Sequence, residues 1–315
     1  MNPTTIEWAQ NPDGSPGYTS NPISGCENHT PEGLCLDGLF PCYAWKLAHT
    51  RLKQRYLANP NTSTSQIISD IPLNMMQKQV KAELDPFYPR FWEEKLSQLI
   101  GYATIEQAGG ILAAKPPKGK GIFVCDMSDL FGIGIPEEWT RKVLRVIEHT
   151  SYNRYYLLTK QAARLSQFSP FPENCWVGVT ATNQESYYDG VSNIAKIEAR
   201  VKFVSFEPLL EQINGGECAE ERRLDSIDEF DWVIIGACTG SLGDMQALRA
   251  RYPALEIRDN KTFTKYVAVP PPAWVREIIT AADAANVPVF IKDNILDVAW
   301  GDYRLTEGRR DFPKG

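Results

Sequence analysis

The chain has 315 residues, 43% of them hydrophobic, with 33 basic and 39 acidic side chains and a net charge of −6. That length can bury a large core, and a search for about 18 consecutive uncharged apolar residues finds no membrane span. Met1–Gln10 lacks the basic-then-apolar pattern of a secretory leader, and the acidic balance excludes a strong non-specific grip on nucleic acid, which Lys and Arg supply by neutralising phosphates, although it leaves room for a local basic groove.

Short β-branched or aromatic runs alternate with segments of helical character, the pattern of βα units on a parallel sheet. In chain order the sequence predicts a strand at Asn21–Ser24, a helix over Tyr43–Tyr56, and strands at Phe87–Phe91 and Gly121–Cys125. A helix over Glu137–His149, a strand at Arg154–Thr159, a helix over Lys160–Gln167 and a strand at Cys175–Thr180 follow. Next come a helix over Gln184–Glu198, strands at Val201–Phe206 and Asp231–Gly236, a helix over Ala273–Ala285 and a strand at Val287–Ile291. Pro136-Glu137-Glu138 suits a helical first turn, Thr182 or Asn183 can cap the helix that follows, and Pro271-Pro272 precedes another.

This succession predicts an α/β fold: a single (β/α) barrel domain over 1–315, TIM-like, either partial with six strands or full with eight. Loops or lids are expected near 59–85, 108–120, 214–229 and 241–269. Barrel sites lie at the C-terminal ends of the strands. Those ends are polar here, at Cys26, Asp126 to Asp129, Lys160, Thr180 to Asn183, Ser205 to Glu207, Cys238-Thr239 and Lys292 to Asn294.

Seven cysteines in a chain expected to be cytoplasmic do not suggest a disulfide framework. Cys26, Cys35 and Cys42 stand together as C-x8-C-x6-C amid Gly and Pro, whereas Cys125 and Cys175 fall in apolar runs and Cys218 in a polar loop. Three thiolates can ligate a [4Fe–4S] cluster and leave one iron open. A structural zinc site completed as Cys3His by His29 or His49 is the alternative from spacing, with unligated thiols a third.

From this loop onward the chain resembles the phage-associated three-cysteine-motif family of uncharacterised function, which looks like an outlying branch of the radical S-adenosylmethionine superfamily. The resemblance lies in Thr5-Ile6-Glu7-Trp8, Asn21 to Cys26, Cys42-Tyr43-Ala44, Phe123 to Phe131, Leu158-Thr159-Lys160, Val177 to Thr180 and Asn183-Gln184-Glu185. It continues in Phe203 to Leu210, Asp231 to Gly236 and Val287 to Lys292. Two features depart from the family pattern. Cys35 and Cys42 enclose six residues where the family has a C-x2-C pair, and Gly236-Ala237-Cys238-Thr239-Gly240 replaces Gly-Gly-Glu-Ser-Gly.

The resemblance implies a radical-SAM-type barrel with Cys26, Cys35 and Cys42 as ligands of a [4Fe–4S] cluster that cleaves S-adenosylmethionine. It also implies a one-electron reductant of flavodoxin or ferredoxin type, a nucleic-acid or nucleotide substrate, and a protein partner, with no membrane. Two other readings stay open: a zinc-stabilised nucleic-acid-binding module and a non-catalytic iron–sulfur partner protein.

Asp126, Ser128, Asp129, Thr180, Thr182 and Ser205 are candidate contacts to the cofactor, Asp129 through its ammonium group. Ser128 and Asn183 also read as helix caps. Glu207 can hold a ribose or substrate, or else form a salt bridge to Lys160 or Lys292, and both lysines can meet an anion. Cys238 is either a hydrogen-atom donor or an inert buried thiol. Tyr152, Tyr155 and Tyr156 read as strand packing rather than as platforms for bases.

Overall fold

The computed structural model describes residues 1–36, 38–64, 80–100, 118–213, 224, 226–260, 265–296 and 309–313. Cys218 and most of the loops expected near 59–85, 108–120 and 214–229 lie outside them. The chain forms two compact units. One comprises Met1–Leu34, Cys42–Arg164 and Pro170–Cys175; the other comprises Cys35–Pro41, Leu165–Ser169 and Trp176–Gly315.

In the first unit, β1 (Asn2–Pro3) pairs antiparallel with β2 (Tyr18–Ser20). A separate ribbon joins β3 (Ile23–Ser24) to β4 (Arg90–Phe91), while β5 (Gly121–Val124) and β6 (Arg154–Thr159) continue the sheet from β2 in parallel. Every residue of β5 is buried, as expected of a parallel strand covered on both faces. Trp8 seals this sheet, its ring 4.9 Å from Phe123 and 5.4 Å from Tyr156.

Two predicted strands change their place. The sheet strand is Tyr18–Ser20 rather than Asn21–Ser24, and Phe87–Phe91 contributes only the ribbon strand Arg90–Phe91. The chain leaves the sheet at Asn21 because that side chain bonds elsewhere and Pro22 has no N–H for a ladder. The predicted helix over Tyr43–Tyr56 is two helices, Tyr43–His49 and Lys53–Leu57. At the break, Thr50 leaves helical geometry (φ −117°, ψ −99°) while its hydroxyl bonds back to the carbonyl of Lys46 at 2.6 Å.

In the second unit, β7 (Cys175–Thr180), β8 (Val201–Phe206) and β9 (Trp232–Ile235) run parallel, as does β13 (Val289–Ile291) beside β9. The sheet strands thus number eight across the described residues, mostly parallel, and the chain is α/β. The helix Gln184–Ile194 begins at a capping box made by Asn183 and Ser186, and Pro272–Ala284 carries its proline in the first turn.

The insertion expected as loop near 241–269 carries regular elements in its described residues. β10 (Cys238–Gly240), β11 (Glu256–Asn260) and β12 (Lys265–Val269) form an antiparallel sheet beside the helix Leu242–Arg251. The segment predicted helical at Lys160–Gln167 is a 3-10 stretch, Ala162–Phe168. Among the described residues no helix is long and apolar enough to cross a membrane.

Candidate functional site

The cysteine loop starts where the first unit fixes it most tightly. Gly25 has φ +85°, and a Cβ there would lie 2.5 Å from the carbonyl oxygens of Phe87 and Tyr88, so only glycine fits. Gly25 N–H donates to Met127 O at 3.0 Å, and the Ser128 hydroxyl donates to Gly25 O. Cys26 N–H then donates to Phe87 O at 2.9 Å, leaving its Sγ to accept from Asn28 N–H at 3.2 Å. Ser128, expected beside a cofactor, anchors this turn.

Cys42 closes the loop. Its N–H donates to Gly33 O at 2.9 Å, and its Sγ accepts from Trp45 N–H at 3.4 Å, capping the helix Tyr43–His49. Backbone N–H donors to sulfur favour the thiolate and tune a cluster's potential. Burial, with smaller contributions from Asp129 and Cys42, pushes the Cys26 thiol up to about 12, while Asn28 N–H and Lys160 pull the other way. A metal or cluster bound there would have to displace that proton.

Cys35 belongs to the second unit. Its N–H donates to Phe40 O at 2.8 Å, and its side chain packs on a cluster that includes Phe40, Leu210, Cys238 and Met245. Between Cys35 and Cys42, two backbone carbonyls are tied down: Arg251 donates to Leu39 O at 2.6 Å and Tyr252 OH to Gly38 O. Gly38, at φ +78°, would bring a Cβ to 2.6 Å from Thr182 Oγ1. Among the described residues no three His, Cys, Asp or Glu side chains form a ready-made site for a metal ion. His49 Nδ1 lies 3.0 Å from Trp45 O and Nε2 3.6 Å from Asp85, while His29 Nδ1 lies 2.8 Å from Thr30 O.

The Asp126–Asp129 run divides in use. Asp129 is buried and accepts from Thr159 Oγ1 at 2.8 and 2.9 Å, Lys160 N–H at 2.9 Å and Phe131 N–H at 3.0 Å. Asp126 accepts from Asn21 Nδ2 at 2.6 Å, and burial pushes its carboxyl above the ordinary range. Asn21 also accepts Met127 N–H at 3.0 Å. This positioning residue was hidden by reading Asn21 as part of a strand. The parallel register of Ser20 beside Val124 brings the two strand ends together.

In the second unit the register places Thr180 beside Ser205. Thr180 Oγ1, Thr182 Oγ1 and Ser205 Oγ are all buried and have no hydrogen-bond partner among the described residues. Glu207 forms an ion pair with Lys292, one of its two candidate partners. Cys238 is buried and pushed up to about 12, chiefly by burial and then by Glu207 and Asp244. Asn294 clamps the strand before it, accepting Ala237 N–H at 3.2 Å and donating to Ala237 O at 2.8 Å.

Cys26 and Cys42, both in the first unit, already accept backbone N–H bonds at sulfur, which suits thiolate ligands. The three unpartnered hydroxyls fit a ligand rich in hydrogen-bonding groups. Fold and site together define an α/β protein with mostly parallel strands and a cysteine loop that follows its first parallel strand. Residues 3–260 match a family model, and the chain belongs to that family, described as a protein of unknown function, DUF5131. No curated protein matches.

Among solved structures the chain is similar to spore photoproduct lyase complexed with dinucleoside spore photoproduct, at 9% identity and a TM-score of 0.48, covering 91% of this chain and 80% of that one. A mutant of that lyase with bound AdoMet and dinucleoside spore photoproduct gives 10% identity, a TM-score of 0.48 and the same coverages, 91% and 80%. A further mutant gives 11% and 0.46, with 90% and 77% covered.

Proposed function

We propose that this protein is a radical S-adenosylmethionine enzyme whose strands form a (β/α) barrel, with Cys26, Cys35 and Cys42 holding a [4Fe–4S] cluster. The observation that carries the reading is the cysteine loop, in which Cys26 and Cys42 each accept a backbone N–H at sulfur. When bound, such a cluster supplies one electron to the sulfonium of S-adenosylmethionine, releasing methionine and a 5′-deoxyadenosyl radical.

The chain's own residues position and protect. Gly25 and Ser128 fix the turn that presents Cys26, while Asp129 braces the neighbouring strand end. Thr180, Thr182 and Ser205 offer hydroxyls to the amino-acid or ribose groups of the cofactor. Glu207 and Lys292 are a matched pair able to bind hydroxyls and an anionic group respectively, with Lys160 a further cation near Cys26. Cys238 stays protonated at neutral pH and retains its S–H hydrogen. The substrate class in this reading is a nucleic acid or nucleotide, reached through the family resemblance, and the electron comes from a flavodoxin- or ferredoxin-type reductant in the cytoplasm.

Anaerobic reconstitution followed by iron and sulfide analysis, then dithionite with S-adenosylmethionine, tests this. About four irons per chain and formation of 5′-deoxyadenosine are expected, with both lost in Cys26→Ala, Cys35→Ala and Cys42→Ala. A second reading, a Cys3His zinc module, draws on one observation: the buried Nε2 of His29 has no hydrogen-bond partner among the described residues. Tightly bound zinc lost on His29→Ala would replace the enzyme reading with that one.

A further inference from the structure

A cavity of about 230 Å³ lies within the first unit, bounded by Arg51, Arg55 and Lys95 on one side and by the rings of Tyr43, Tyr56 and Trp92. In a chain of net charge −6 this is a local concentration of positive charge. Neither Arg51 nor Lys95 has a side-chain hydrogen bond or ion pair among the described residues. Arg55 sits 5.4 Å above the Trp92 ring, a cation–π contact that leaves its charge unneutralised. Burial and then the neighbouring Arg55 push the Lys95 ammonium pKa down, against a smaller opposing pull from Glu94. At Lys95 the push from Arg55 thus outweighs the pull from Glu94.

The remaining wall sets Leu47, Leu52 and Met127 beside a few polar side chains, one of them unsatisfied. Ser20 is 2% exposed, and its Oγ has no hydrogen-bond partner among the described residues. Asp126 is the one carboxylate lining the cavity among the described residues, but burial pushes it toward the neutral form and Asn21 already occupies one oxygen at 2.6 Å. Tyr43 is 56% exposed, with its hydroxyl donating to Asp126 O.

Three clustered cations disfavour the sulfonium of S-adenosylmethionine and favour an anion. Phosphate matches guanidinium forks and ammonium groups, and an exposed tyrosine ring beside them suits a base. The volume falls below the roughly 300–1,000 Å³ of drug-sized pockets, enough for a phosphate with an adjoining ring and too small for a duplex. We propose that this cavity is a nucleotide-phosphate site, with Arg51, Arg55 and Lys95 binding the phosphate and Tyr43 stacking on the base. The nucleotide character of the ligand rests on the substrate reading above; the anion site rests on its own charge.

The test titrates the anaerobically reconstituted protein with dTMP, thymidine, inorganic phosphate and a 5′-phosphorylated oligo-dT, reading Trp fluorescence and calorimetric heat. dTMP should bind at least about tenfold tighter than either thymidine or phosphate, since a charge-assisted contact is worth a factor of that order. Arg51→Ala with Arg55→Ala should weaken dTMP binding at least about tenfold with an unchanged melting curve, and Tyr43→Ala should remove the advantage of dTMP over phosphate. For the oligonucleotide, each cation removed should flatten the salt dependence by about one phosphate contact. Tighter binding of the oligonucleotide than of dTMP would identify a strand as the source, and equal binding a free nucleotide. Equal affinity for dTMP and thymidine, or wild-type binding in the double variant, overturns the proposal. Iron content and 5′-deoxyadenosine yield in the same preparation judge the enzyme reading separately: iron-free protein that still binds dTMP through Arg51 and Arg55 would uphold this site and sink that enzyme.

Discussion

Strand ends in the two units carry similar small polar residues and use them in opposite ways. At the end of β6, Thr159 gives its hydroxyl to Asp129, whose carboxylate also accepts two backbone N–H groups. At the ends of β7 and β8, Thr180 and Ser205 stand side by side in register, buried and unpartnered, as does Thr182. A closed hydrogen-bond set holds a fold together; unspent buried donors weaken it and make sense where a ligand will supply partners.

The largest effect should come from opening the closed set. Asp129→Ala leaves two N–H groups and the Thr159 hydroxyl unsatisfied, so urea unfolding should show a loss of about 3–5 kcal/mol. Asp129→Asn, which keeps an acceptor, should lose about half of that. A loss under about 1 kcal/mol for the alanine variant would remove the contrast between the two regions.

Next is the ion pair in the second unit, where Glu207 and Lys292 are 25% and 13% exposed at the side chain. With that residual solvent contact, Glu207→Gln should cost about 1–2 kcal/mol of stability. Its larger effect should fall on S-adenosylmethionine turnover, read as 5′-deoxyadenosine.

Cys238 gives a pH signature of comparable size. Below the ordinary thiol value of 9.0 the group is neutral in both states; above it the unfolded chain ionises while the folded chain holds its proton up to about 12. The folded state therefore binds more protons and stability falls as pH rises through that window. Between pH 8 and pH 10 the wild type should lose about 1.4 kcal/mol more than Cys238→Ala. Parallel curves for the two proteins would show that the thiol titrates normally.

The smallest change in stability belongs to the open set. Ser205→Ala and Thr180→Val should leave stability unchanged or raise it by about 1 kcal/mol, because a buried hydroxyl without a partner carries an uncompensated desolvation cost. The same variants should bind S-adenosylmethionine several-fold more weakly by equilibrium dialysis. Losses of stability as large as that of Asp129→Ala would mean that those hydroxyls are structural.

Much of the frame was readable from local pattern. β6, β7 and β8 fall at the predicted residues because apolar, β-branched and aromatic runs bury on both faces of a parallel sheet. Asn183 was legible as a cap because a short polar side chain before a helical run satisfies a free N–H. The regular elements of the insertion after β10 were missed, although Ser241 and Asp244 form a capping box that marks its helix. That helix buries only Met245 and Leu248, so its apolar stripe is too thin to read.

The alternation of strands and helices, the three clustered cysteines and the polar character of the strand ends are all written in the linear chain, since they follow from spacing and side-chain chemistry. Which polar residues are already occupied emerges on folding. Asp129 is bound up with Thr159, Glu207 took Lys292 as its partner, and Arg51, Arg55 and Lys95 came to share one cavity. The physical reason is that hydrogen bonding and electrostatics depend on distance in space, and partners separated by 30 to 85 positions leave no periodic trace in the chain.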